Sequence, residues 1–173
     1  LNLPTLHPLH YIHYHGKGII QIDSIPVHKV TTHPITLEAA LEVASNLRPE
    51  DRREMVEGHG SDPIEYAFYA ADNPSSVYFV TPNGKTAGMG GINKGGLIWM
   101  LCTPEIHKYP IAFVKEAKRY LESSKEPMTY NIVDARNKVH LRLLKYLGYK
   151  FLRKISYGPN KLTFIEFCRV SRS

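Results

Sequence analysis

The chain has 173 residues, 43% of them hydrophobic, which suits one domain with a core of its own. Lys and Arg number 22 against 16 Asp and Glu, so the net charge of +6 favours phosphates or acidic surfaces only through salt-sensitive attraction. Two cysteines, Cys102 and Cys168, exclude a disulfide scaffold and point to a reducing compartment, and no run approaches the roughly 20 apolar residues of a membrane span.

Residues 1–24 set His7, His10, His13 and His15 among prolines and tyrosines, without a helical stripe. They read as a Tyr/His-rich arm, and with no apolar core the segment is not expected to be a signal peptide. His13 and His15 would share one face of a strand, but no acid or cysteine ligand is near, so no metal site is expected. Ile25–Val30 predicts a strand. Thr36 can cap a helix whose stripe is Leu37, Ala40, Leu41 and Ala44. Pro49 suits the first position of a second short helix running to Val56, and Asp62, Pro63 and Glu65 start a third that ends near Ala71.

The period then becomes that of strands: 76–80, the glycine-broken 86–92, and the apolar run Leu97–Thr103, which predicts a central strand covered on both faces. Gly88-Met89-Gly90-Gly91 is followed by a turn, not a helix, so it predicts a bulge or a close backbone approach instead of a nucleotide loop. Tyr109–Ser123 is amphipathic and helical, with Trp99 expected to pack against it. A strand at 129–133, a helix from Asn137 to Leu147 capped by Gly148, and strands at 149–155 and 162–167 follow. Residues 25–168 thus form a single domain, with 169–173 a frayed basic tail. The order β-α-α-α-β-β-β-α-β-α-β-β calls for an α/β (α+β) architecture, a mixed sheet with helices on both faces.

This order, the Trp99-Met100-Leu101-Cys102-Thr103 strand and the closing Asn137-helix-Gly148-Tyr149 segment resemble the GNAT N-acetyltransferase superfamily over residues 25–168. The resemblance implies a GNAT-like, mostly antiparallel central sheet. Asn137, His140, Arg142, Leu144, Lys145 and Gly148, with Arg48-Pro49-Glu50-Asp51-Arg52-Arg53-Glu54, look like a phage branch of that fold that includes internal virion proteins of short-tailed phages (podophages).

In an active member, acetyl-CoA would lay its pantetheine arm on the backbone of Leu101, Cys102 and Thr103, with Asn137 beside it. The turn Thr103–Pro110 would cradle its pyrophosphate, yet it holds no glycine, carries Glu105, and ends on Pro110, which has no N–H; only His107 and Lys108 could greet a phosphate. The tyrosine acid expected of the family falls at Leu144, and Tyr146 lies roughly 200° further round the helix. Glu54, Glu105 and His140 are the candidate bases; Glu54 also reads as a solvated helix carboxylate, and His140 as a partly buried helix residue packing on the sheet. Asn137 has work as a helix cap, and Cys102 reads as an inert core thiol.

The first expectation is therefore a virion-associated or assembly protein of a phage, without catalysis or cofactor, contacting other virion proteins and weakly DNA. Its location would be the virion, and the host cytoplasm during assembly. The alternatives are an active acetyl-CoA-dependent N-acetyltransferase with a divergent pyrophosphate loop, and a nucleic-acid-binding accessory domain. No one strand reads as an interleaved basic and aromatic surface of the kind a single-strand binder wants.

Overall fold

The computed structural model describes residues 29–171; the arm with its four histidines and most of the strand expected at Ile25–Val30 lie outside them. The first strand, β1, is Thr31–Pro34, later than expected. It is an edge strand paired only with β2 (Ser76–Val80), which is why Pro34 can end it. In helix α1 (Leu37–Ser45) the Thr36 hydroxyl accepts the Ala39 N–H at 3.1 Å, and Ala39, Ala40, Val43 and Ala44 are buried. Helix α2 (Pro49–Arg53) does not stop at Val56 but widens into a π-helical turn, Glu54–His59, closed by Gly60 at φ +68°. Helix α3 (Pro63–Asp72) starts as its sequence predicts, the Asp62 carboxylate accepting the N–H groups of Ile64 at 2.8 Å and Glu65 at 3.0 Å.

Strands β3 (Thr86–Ile92) and β4 (Ile98–Cys102) complete an antiparallel sheet in the order β1-β2-β3-β4. The β3 glycines answer to close approach, since a Cβ on Gly88 would stand 2.7 Å from the Leu101 carbonyl oxygen, and the register with β2 also shifts there, from Phe79–Gly88 to Val80–Thr86, leaving Ala87 of β3 as the extra residue of a bulge. A 3-10 turn at Pro104–Lys108 leads into α4 (Pro110–Glu122). A second antiparallel sheet, β5-β7-β6, is built from β5 (Met128–Asp134), β6 (Lys150–Tyr157) and β7 (Leu162–Val170), with helix α5 (Lys138–Tyr146) between β5 and β6. Arg169 and Val170 pair with Thr129 and Met128, so the end expected to fray continues the sheet.

Helices α1 and α3 bury Ala40, Val43, Ala67 and Ala70 against Met89 on one face of the first sheet, and α4 buries Phe113 against Phe79, Ala87 and Cys102 on the other. Trp99 belongs to the α3 side, its ring edge-on to Tyr66 at 5.3 Å, and not to the long helix; strand alternation gives two faces without saying which helix covers each. Leu141 and Leu144 of α5, with Leu147 just past its end, cover Val133, Ile165 and Phe167 of the second sheet.

The two sheets join at one parallel bridge, Leu97 to Tyr130. There the Tyr130 N–H donates to the Gly96 carbonyl at 2.9 Å, and the Asn131 side-chain amide donates to the Ile98 carbonyl at 2.6 Å. Beyond this root β4 and β5 part, so β4 is central in the molecule but unpaired along its far edge.

Candidate functional site at the parting of the sheets

The parting of β4 from β5 leaves a cavity of about 530 Å³ that reaches both faces, with Tyr66 and Trp99 on the α3 side and Leu121 and Leu144 on the other. Its polar end holds Asp51, Glu54 and His140. The register with β3 turns the peptide groups of Ile98, Met100 and Cys102 toward this gap and those of Leu101 and Thr103 away from it. Thr103 donates its N–H to the Ala87 carbonyl at 2.9 Å and its hydroxyl to the Thr86 carbonyl at 3.0 Å.

Cys102 faces the gap, but both of its peptide groups are engaged. Its N–H donates to Asp51 Oδ2 at 2.8 Å, and its carbonyl accepts the Arg48 N–H at 2.9 Å. Arg48 and Asp51 are 1% and 2% exposed, and the guanidinium holds the carboxylate with two bonds of 2.7 Å. Asn137, also 1% exposed, donates from Nδ2 to Asp51 at 3.0 Å and to Glu54 at 2.8 Å, while its oxygen caps α5 at the His140 N–H. One network therefore ties α2, β4 and the start of α5 across the mouth of the gap. Burial works against the Arg48 charge, but the bonds and charge of Asp51 outweigh it and raise the guanidinium pKa.

Burial pushes the Glu54 carboxyl up to about 7, against the hydrogen bond from Asn137 and with the help of the nearby carboxylates of Asp51 and Asp134. Burial likewise pushes His140 down to about 4 and raises the Cys102 thiol, which keeps that thiol protonated and inert. Because the folded pKa of Glu54 lies above its unfolded value of 4.5, the native state holds the extra proton between those two values. Its contribution is full below pH 4.5 and is lost as pH rises toward 7. His140 acts with the opposite sign over an overlapping range, so the wild type alone does not separate them. Glu54→Gln is expected to gain melting temperature relative to wild type from pH 5 to pH 8, read by calorimetry in matched buffers; a difference constant with pH would refute the raised Glu54 pKa.

Of the residues singled out in the sequence, Glu54, His140, Leu101 and Leu144 line the cavity. Glu105 does not: it sits on the 3-10 turn and accepts from Lys108 Nζ at 2.8 Å. Tyr146 is 69% exposed, away from the cavity that Leu144 lines. At the start of α4, Pro110 has no N–H and the Phe113 N–H is spent on the Tyr109 carbonyl, leaving Ile111 and Ala112 as donors. Among the described residues no three His, Cys, Asp or Glu side chains gather as a metal site, and no helix is long and apolar enough to cross a membrane. The central pair Arg48 and Asp51 was missed in the sequence. Arg48 immediately before a helix-starting proline, with Asp51 three residues on, was the available signal, but a charged helix start usually reads as a solvated face.

No family model matches the sequence, and no curated protein does. Solved structures do resemble the fold. A GNAT-family acetyltransferase from Streptococcus agalactiae matches with a TM-score of 0.64 at 11% identity, over 83% of this chain and 96% of the other. One from Bacillus anthracis gives 0.63 at 11%, over 82% and 95%. A spermidine N-acetyltransferase from Vibrio cholerae, solved with CoA and spermine, gives 0.58 at 12%, over 83% and 96%. The chain has the GNAT acetyltransferase fold. Set against a CoA arm laid on β4 beside Asn137, its donor set fits only in part: the Cys102 peptide groups and the Asn137 amide are already committed inside the chain, while the Met100 peptide groups face the gap.

Proposed function

We propose that this chain is a virion-associated or assembly protein of a short-tailed phage, built on the GNAT fold and not catalysing acyl transfer from acetyl-CoA. The observation that carries the non-catalytic part is the clasp of Arg48 and Asp51 on Cys102 and Asn137. It takes up the Cys102 peptide groups and the Asn137 amide, where the resemblance would lay a pantetheine arm, in a chain whose Thr103–Pro110 turn lacks a phosphate cradle and whose expected acid is the buried Leu144. The phage part is supported by the likeness of the closing helix, Asn137 to Gly148, to the virion branch of the fold. Its partners would be other virion proteins, and its place the particle, with the host cytoplasm during assembly.

Titration calorimetry with acetyl-CoA tests the first part: no binding heat is expected at millimolar ligand, and a micromolar site would overturn it. Mass spectrometry of purified particles from a phage encoding this chain tests the second, and absence from the particle and from its assembly intermediates would sink it. The competing reading is an acetyl-CoA-dependent N-acetyltransferase. It is favoured by Glu54, a carboxyl held near neutrality on the wall of the cavity, where a base would be useful.

A further inference from the structure

The positive charge of this molecule is concentrated at one end of the chain. From Lys138 to Ser171 there are eight Lys and Arg against one Glu, a net +7, whereas from Lys29 to Asn137 there are 12 against 14, a net −2. In the first part many cations are neutralised: Lys108, Lys118, Arg119 and Arg136 each lie against a carboxylate. In the second, only Arg153 has an acidic partner among the described residues, Glu166 at 2.6 Å. The fold then brings these charges together. Lys138, Arg142 and Lys145 are exposed and spaced by four and three, one stripe of α5 apart from the leucines that cover the sheet. The chain turns at Gly148 into β6, an edge strand exposed along almost its whole length, where Lys154 registers with Ile165 on the side of α5, while Lys150 and Arg153 stand on the opposite face of the sheet. Arg169 of β7 lies close to that turn, 3.8 Å from where a Cβ on Gly148 would be.

We propose that α5 and the β6–β7 hairpin form a docking face for the phosphate backbone of duplex nucleic acid, bound without regard to sequence. Lys138, Arg142, Lys145, Lys154 and Arg169, none with an acidic partner among the described residues, complement a regular line of phosphates, and holding several at once releases condensed counterions. A duplex suits the face better than a single strand. The half-exposed rings of the hairpin do not make a stacking platform: Phe151 registers with Phe167 on the face covered by α5, and Tyr157 with Leu162 on the other, where it packs edge-on against His59 and Phe164. This face is separate from the cavity, so it stands or falls independently of whether acetyl-CoA binds.

The test is fluorescence anisotropy of the full chain with a labelled mixed-sequence duplex of about 24 base pairs, over roughly 50–300 mM NaCl. With four or five cations engaged, the log–log salt slope should lie at about −3.6 to −4.5. The triple variant Arg142→Glu, Lys145→Glu, Lys154→Glu should lose at least ~100-fold in affinity at the lowest salt, whereas Lys85→Glu, Lys94→Glu, Lys115→Glu, the same charge change elsewhere, should lose less than ~3-fold. If the first variant fails to fold by circular dichroism, the Gln versions of the same three residues should flatten the slope by about 2.7. No binding at low salt, equal losses from both triples, or tighter binding of a single strand or of polyglutamate than of the duplex would each overturn the proposal.

Discussion

Asp51→Ala should lower the melting temperature by roughly 10 °C, the largest stability loss expected from any one substitution at the site. Breaking a buried ion pair by removing one partner costs about 3–5 kcal/mol, and in a chain of this size each kcal/mol shifts the midpoint by about 2–4 °C. The loss has three parts. The Arg48 guanidinium stays 1% exposed without its counter-ion, the Cys102 N–H loses its acceptor, and the Asn137 amide loses one of two. Arg48→Met combined with Asp51→Leu removes both charges and should be less destabilised than Asp51→Ala alone, though short of wild type because the Cys102 and Asn137 donors remain unanswered. Scanning calorimetry of the set decides it. A double variant no better than the single would show that the clasp on β4 matters more than the buried charge.

Gly96→Ala should cost about 3 kcal/mol. Gly96 stands at φ +93°, and a Cβ there would lie 1.9 Å from the Met128 carbonyl oxygen, so the backbone itself must move. What moves is the root that joins the sheets, including the Tyr130 N–H bond to the Gly96 carbonyl. Hydrogen exchange should show the loss as faster exchange at Tyr130 relative to the strand interior at Leu101. An equal melting temperature with unchanged Tyr130 protection would refute the role given to this glycine.

The sequence conveyed the order of elements because most of its signals are local. Asp62-Pro63 announces α3, Thr36 announces α1, and Asn137 with Gly148 brackets α5, each acting within a few residues of itself. The features that define the site are not local. Asp51 meets Cys102 and Asn137, 51 and 86 positions along the chain, and no pattern in residues 48–54 says that their charges turn inward. Glu54 and His140 could be singled out as polar residues on helices, but their arrival at one cavity depends on the parting of β4 from β5, which neither strand encodes alone. β6 was legible as a strand, but its exposure was not, because burial on either face depends on the helix that happens to cover it.

The parting of the sheets also follows the chain. β1 to β4, with α1 to α4, come from residues 31–122, and β5 to β7, with α5, from residues 128–170; neither sheet borrows a strand from the other. A ribosome releasing the N-terminal end first can therefore let the whole first layer assemble while the second is still being synthesised. During that interval Arg48 and Asp51 hold each other and Cys102, but Asn137 has yet to arrive. The last act of folding is then the docking of one finished half on another, with the start of α5 as the latch.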